Sequence, residues 1–282
     1  MIKASLIDVA TLQTALDDRD LLVFDCRFNL VQPHWGRQEW LAGHVPGARY
    51  AHLDDDLAGP VTETTGRHPL PSSERFAQFL GRSGYRPGMR VVAYDQGPAF
   101  LAVRLWWLMH YFGLEECEIL DGGFAAWRAA GLPLETGSVE GQAGNAPALH
   151  ARRDTVLSTP ELERALARED IALLDARSAE RFRGEAEPID PVAGHVPGAL
   201  SHPCEKNVDA DGYFLAPESL REALTASLGG DIGSRVVHMC GSGVTGCHNL
   251  FAMSLCGLDA GRLYAGSWSE WIRDSARPVA HG

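Results

Sequence analysis

The sequence predicts an α/β chain made of two copies of one domain, each a mainly parallel central sheet flanked by helices. Three observations carry that expectation. A set of segments recurs once in the same order. Short apolar runs alternate with amphipathic ones. One cysteine stands in a glycine-rich loop between such a run and the next amphipathic stretch.

The recurrence is direct. Gly43-His44-Val45-Pro46-Gly47-Ala48 returns unchanged at 194–199, and Leu22–Arg27 resembles Leu173–Arg177. Arg90–Asp95 matches Arg235–Cys240, and Asp121–Trp127 matches Ala265–Trp271. The separation stays near 145–150 residues throughout. So large a unit is a duplicated domain and not a solenoid repeat. The boundary falls in 135–147, which is rich in Gly, Ala and polar residues and has no periodicity. Domain one is placed at 1–138 and domain two at 150–282.

In the first copy a helix at 11–16 precedes a strand at 21–24, a helix at 73–81 precedes a strand at 90–94, and another helix covers 102–112. The second copy repeats the alternation at 159–168, 171–174, 217–228, 236–239 and 246–256. Strands alternating with helices point to a parallel sheet. Val236–Met239 is the kind of short apolar run that makes a strand buried on both faces. His238 within it reads as a core histidine.

Net charge is −12, which disfavours nucleic acid as a partner, because phosphate backbones call for basic patches. No apolar run approaches the ~18 residues of a membrane span. Residues 1–5 lack the apolar region of a signal peptide. The six cysteines show no zinc-like pairing and are too sparse for a disulfide scaffold. A reducing cytoplasm is therefore expected, with no metal and no cofactor.

Cys240 follows the strand at 236–239 and opens Gly241-Ser242-Gly243-Val244-Thr245-Gly246, after which Cys247, Leu250, Phe251, Ser254, Leu255 and Leu258 recur at helical spacing. Strand, tight loop and helix N-terminus bring backbone N–H groups around one sulfur, with the positive end of the helix dipole behind it. A free thiol is only a few per cent thiolate at neutral pH, and helix N-termini shift that balance toward the anion. Cys240 is therefore expected to be a reactive thiolate. The matching position in the first copy is Asp95, followed by Gln96-Gly97-Pro98. That loop has no sulfur, and Pro98 has no N–H to offer an anion. Domain one is expected to be catalytically inactive.

The Gly-His-Val-Pro-Gly-Ala segments, the loop Cys240–Thr245 and the stretch Tyr264–Trp271 together resemble the tandem-domain rhodanese and mercaptopyruvate sulfurtransferase family, over essentially the whole chain. The resemblance implies two tandem rhodanese-like domains. It also implies transfer of a sulfane sulfur from a small donor to a thiol, a thioredoxin-like protein included, or to cyanide. The carrier is a persulfide on Cys240, and Gly241, Gly243, Val244 and Thr245 form its binding loop. A neutral loop resembles the branch that uses 3-mercaptopyruvate; thiosulfate users carry basic residues there. By the same resemblance Ser242, His68 and Asp54 form a serine–histidine–aspartate set across both domains.

Arg181 falls on one carboxylate-binding arginine of that branch. The second would lie near 187–189, where Ile189 stands, and Arg183 is either its substitute or a solvated surface residue. Thiosulfate remains an alternative donor, and a non-enzymatic sulfur carrier an alternative role. A phosphatase of related fold needs an arginine to close the loop, but Gly246 and Cys247 stand there. His44 and His195, common to both copies, read as structural, as do Asp25 and Asp175 beside Arg27 and Arg177. Trp106 and Trp107 read as core or domain interface. Trp268 is open to either core or site wall, and Cys247 is a candidate resolving thiol.

Overall fold

The computed structural model describes residues 2–114, 117–139, 144–230 and 235–282. Within the connecting stretch, 140–143 lie outside the described residues. The first half runs β1 (Leu6–Ile7), α1 (Val9–Ala15), β2 (Leu21–Asp25), α2 (Trp35–Ala42), β3 (Arg49–Tyr50), α3 (Ser73–Arg82), β4 (Arg90–Tyr94), α4 (Ala102–Tyr111), β5 (Cys117–Leu120) and α5 (Gly123–Ala129). The second runs β6 (Val156–Leu157), α6 (Thr159–Ala167), β7 (Ala172–Asp175), α7 (Ala179–Arg183), β8 (Leu200–Ser201), α8 (Pro217–Leu228), β9 (Val236–Met239), α9 (Gly246–Leu255), β10 (Arg262–Tyr264) and α10 (Ser267–Trp271).

Each half forms one five-stranded sheet. The orders are β1-β5-β4-β2-β3 and β6-β10-β9-β7-β8, and every pairing is parallel. The two sheets are the same topology written twice. Every residue of β9 is buried, as a strand covered by helices on both faces requires. His238 is buried within it, and its ring Nε2 lies 2.9 Å from the Ala260 carbonyl oxygen. Burial pushes its pKa down to about 3, so the ring is neutral in the core.

Helix starts follow from local chemistry. The Asp8 carboxylate accepts from the Thr11 N–H at 2.8 Å, and Ser158 with Glu161 forms a capping box at the head of α6. Pro217 opens α8 and Gly229 closes it in the left-handed conformation. The repeated aspartates act as expected. Asp25 holds Arg27, and Asp175 holds Arg177, in matching bidentate pairs at 2.6 and 2.7 Å. In the repeated segments the ring Nδ1 of His44 lies 2.6 Å from the Trp40 carbonyl and that of His195 2.8 Å from the Phe182 carbonyl. Both are structural.

The domains share one continuous core, in which α4 of the first packs on α9 of the second. Trp106 meets Phe251 edge-on at 4.8 Å, and Trp106 and Trp107 are both buried there. This interface positions the Cys240 loop, one face of which is built from domain one.

Candidate active site

Cys240 stands at the carboxyl end of β9, where parallel α/β sheets place their ligands. Its backbone N–H donates to Ser267 Oγ at 3.1 Å, and its sulfur accepts the Gly243 N–H at 3.1 Å. The loop is anchored from outside. The Cys240 carbonyl accepts from the Trp268 N–H at 3.0 Å and the Gly241 carbonyl from the Ser269 N–H at 2.8 Å. The Gly243 carbonyl accepts from Arg104 Nη1 at 3.0 Å. Across a trans peptide the following N–H points the opposite way. The N–H groups of Gly241, Ser242 and Val244 are therefore turned away from those anchors. Gly243 has φ +77°, and a Cβ there would sit 2.3 Å from the Ala265 carbonyl oxygen, so only glycine closes this turn.

Arg104 was not legible as a site residue. It reaches from α4 of domain one, fully buried, and also donates to the carbonyls of Leu57 and His68. A buried guanidinium that binds three carbonyls and no carboxylate is costly unless an anion lies near. Here it stands under the loop that carries the Cys240 sulfur.

Ser242, His68 and Asp54 lie side by side, linked across the two domains. His68 Nδ1 lies 2.7 Å from Ser242 Oγ, and His68 Nε2 lies 3.1 Å from Asp54 Oδ1. The neighbouring acids are engaged elsewhere, Asp55 with His52 and Asp56 with Arg82. Burial lowers the His68 pKa although Asp54 pulls it up, so the ring is neutral near pH 7. The hydrogen bond from His68 holds the Asp54 carboxyl below its usual range, so it is ionised and can only accept. His68 must then carry its proton on Nε2. That leaves Nδ1 as an acceptor for the Ser242 hydroxyl.

Ser242 and His68 open on a cavity of about 110 Å³, lined also by Leu53, Leu101, Arg67, Arg181, Ile189, Cys240, Gly241, Val244 and Thr245. It holds about four waters' worth of space, which suits a small substrate. A larger depression of about 570 Å³, bordered by Arg164, Arg168, Arg235 and Arg262, lies at the other end of the same strands and has no nucleophile.

Arg181 lines the cavity, with its Nε bonded to Glu187 at 3.0 Å and its Nη2 to Asp190 at 3.1 Å. Arg183 does not substitute for the second arginine. Its guanidinium is paired with Glu185 at the surface, 2.7 Å away. Two positions along a helix turn a side chain by about 200°, so Arg181 and Arg183 cannot share a pocket. Trp268 is core and not site wall: it is fully buried, donates to the Val192 carbonyl and lies under the Arg177 guanidinium. Cys247 is fully buried with its thiol 3.4 Å from the Gly243 carbonyl, and burial pushes its pKa up to about 12. A resolving thiol needs the opposite environment.

Domain one shows what this loop shape does with an anion of its own. The Asp95 carboxylate occupies the nest and accepts the N–H groups of Gly97, Ala99, Leu101 and Ala102 at 2.8–3.2 Å. Burial raises its pKa while those four bonds oppose the rise. The cradle is filled from within.

Comparison with known proteins agrees with this geometry. Residues 8–130 and 158–274 each match the model of the rhodanese-like domain. The chain is 47% identical over 286 residues to a Pseudomonas aeruginosa protein provisionally named 3-mercaptopyruvate sulfurtransferase, each covered in full. It is 41% identical over 263 residues to a Mycobacterium tuberculosis protein provisionally named thiosulfate sulfurtransferase, covering 92% of this chain and 90% of that one. The solved structure of 3-mercaptopyruvate sulfurtransferase from Leishmania major superposes with a TM-score of 0.84 at 29% identity, covering 98% of this chain and 75% of that one.

Proposed function

The chain belongs to the rhodanese-like family, carrying its domain twice, and from that premise we propose that it is a sulfurtransferase that takes sulfur from 3-mercaptopyruvate through a persulfide on Cys240. The observation that carries the choice of donor is the Ser242–His68–Asp54 chain beside the sulfur, with links of 2.7 and 3.1 Å. A donor whose leaving group is already a stable anion has no use for a proton relay. A donor that leaves as an enolate does.

In the charging step the Cys240 thiolate attacks the donor's sulfur. The new bond is S–S, the broken bond is donor C–S, and the electron pair leaves on carbon as the pyruvate enolate. The proton released from the donor's thiol returns to that carbon through Ser242 and neutral His68. Thiolate and mercaptopyruvate thus become persulfide anion and pyruvate. In the discharge step a thiolate or cyanide attacks the outer sulfur and restores the Cys240 thiolate, a two-step covalent route. Small thiols, a thioredoxin-like protein or cyanide fit as acceptors. In this reading domain one is inactive and serves as wall and support, because Asp95 fills its nest. Every cysteine among the described residues is free, which fits a reducing cytoplasm, and no helix among them is long and apolar enough to cross a membrane.

Thiosulfate is the second reading, favoured by the two guanidinium groups at the cavity. It is weakened because Glu187 and Asp190 already neutralise them. The deciding measurement is kcat/KM for each donor with one acceptor. Mercaptopyruvate is expected to win by about tenfold or more, which is about 1.4 kcal/mol of transition-state preference. A tenfold win for thiosulfate would overturn the donor assignment.

A further inference from the structure

We propose that Arg67 of domain one is the second arginine of the donor-carboxylate clamp, standing in for the one missing at 187–189, so that donor specificity is set across the domain interface. This rests on the mercaptopyruvate reading and extends it to a residue outside domain two. Arg67 lines the Cys240 cavity. Its Nη2 comes within 3.2 Å of the point where a Cβ on Gly241 would stand, and Arg181 Nη1 within 3.5 Å of the same point. Two guanidinium groups from different domains thus converge beside the residue that follows the nucleophile.

Arg67 is held for this task. Its backbone N–H donates to Ser269 Oγ at 3.0 Å and that of Gly66 to Glu270 at 3.3 Å, which straps the segment to α10. A side chain at Gly66 would strike the Gly266 carbonyl oxygen at 2.5 Å, so only glycine allows this approach. The Asp190 carboxylate, 3% exposed, bonds Arg67 Nη1 and also Arg181 Nη2, coupling the two forks. With Nη1 held by Asp190, Nη2 is the Arg67 donor turned toward Gly241 and the cavity. A guanidinium fixed in this way can meet a carboxylate with a charge-assisted hydrogen bond.

Charge sharpens the selection. Arg67, Arg177 and Arg181 face Asp175, Glu187 and Asp190, so the group is balanced before any ligand arrives. A balanced fork pair favours a single carboxylate recognised by geometry over a compact dianion recognised by charge.

The test compares two donors that differ only in the carboxylate, 3-mercaptopyruvate and mercaptoacetone, in the intact chain and in Arg67→Met and Arg67→Lys. In the unaltered chain mercaptopyruvate should be favoured strongly. Arg67→Met should raise KM for mercaptopyruvate by about 10- to 100-fold, the worth of one charge-assisted hydrogen bond, with kcat changed less than about threefold. The preference over mercaptoacetone should shrink by the same factor, and the inhibition constant of pyruvate should rise with KM. Arg67→Lys, which keeps charge but loses the fork, should recover part of the loss. Equal losses on both donors would mean that Arg67 only supports the fold, and unchanged KM would mean that it is no part of the clamp. Either result overturns the proposal while leaving the donor reading intact. An unaltered chain that turns over thiosulfate but not mercaptopyruvate would overturn both.

Discussion

Cys240→Ser is expected to abolish sulfur transfer from every donor, by about four orders of magnitude or more, as removal of a nucleophile does when no neighbour can replace it. The nearest sulfurs are poor replacements. Cys247 has its thiol on the Gly243 carbonyl and a pKa pushed up to about 12. Cys204 packs beside Cys240, but burial and the nearby Glu205 push its thiol well above the ordinary range. The fold should not suffer. A serine hydroxyl is smaller than the thiol and can accept the same Gly243 N–H, so the melting temperature should stay within a few degrees. The check is a steady-state assay with each donor beside a thermal melt. Residual turnover above about one part in a hundred, with the fold intact, would place the chemistry on another sulfur.

Ser242→Ala should divide the two half-reactions. Charging from mercaptopyruvate should slow by about 10²- to 10³-fold, the range of a lost general acid–base group, while discharge of a preformed persulfide to a small thiol should change less than about threefold. The reason is local: in the proposed mechanism the relay serves the enolate, and no enolate exists in the second step. Rapid-mixing measurements of pyruvate release and of persulfide discharge read the two steps separately. Equal losses would remove the relay.

The same relay fixes a pH dependence. His68 works when neutral, and burial holds its pKa below the ordinary histidine value of about 6.5. The charging rate of the unaltered chain relative to Ser242→Ala, in which the relay is broken, should therefore stay level as pH falls past 6.5 and fall only once the ring protonates at lower pH. A fall in that ratio centred above 6.5 would contradict the neutral tautomer.

Much of this molecule is legible in the chain because the informative elements are long or repeated. Strands Arg90–Tyr94 and Val236–Met239 and helix Pro217–Leu228 fall where apolar period and proline chemistry put them. The edge strands β1, β3, β6 and β8 are two residues each, too short to show any period, and they are defined only by pairing to a neighbour. Cys240 was visible because one strand, one glycine loop and one helix are contiguous in sequence.

Arg67 and Arg104 are not legible at the site in sequence because they reach the Cys240 loop only across the contact between domains, with Arg104 and Gly243 139 residues apart. Arg183, left open between substitute and surface residue in sequence, is the surface residue. It is two places from Arg181 in the chain, and on a helix that distance points it to solvent. In sequence Asp95 marks only the loss of a nucleophile. The four N–H groups it accepts make it also a replacement, an internal anion in the place where domain two holds a sulfur.

The account stands on one covalent intermediate, and intact-mass spectrometry with peptide mapping reaches it directly. After one equivalent of 3-mercaptopyruvate and no acceptor, the chain should gain the mass of a single sulfur atom, mapped to Cys240, with one pyruvate released per chain, and should lose it when a thiol is added. No added sulfur, or added sulfur on Cys204 or Cys247 with Cys240 unmodified, would contradict it.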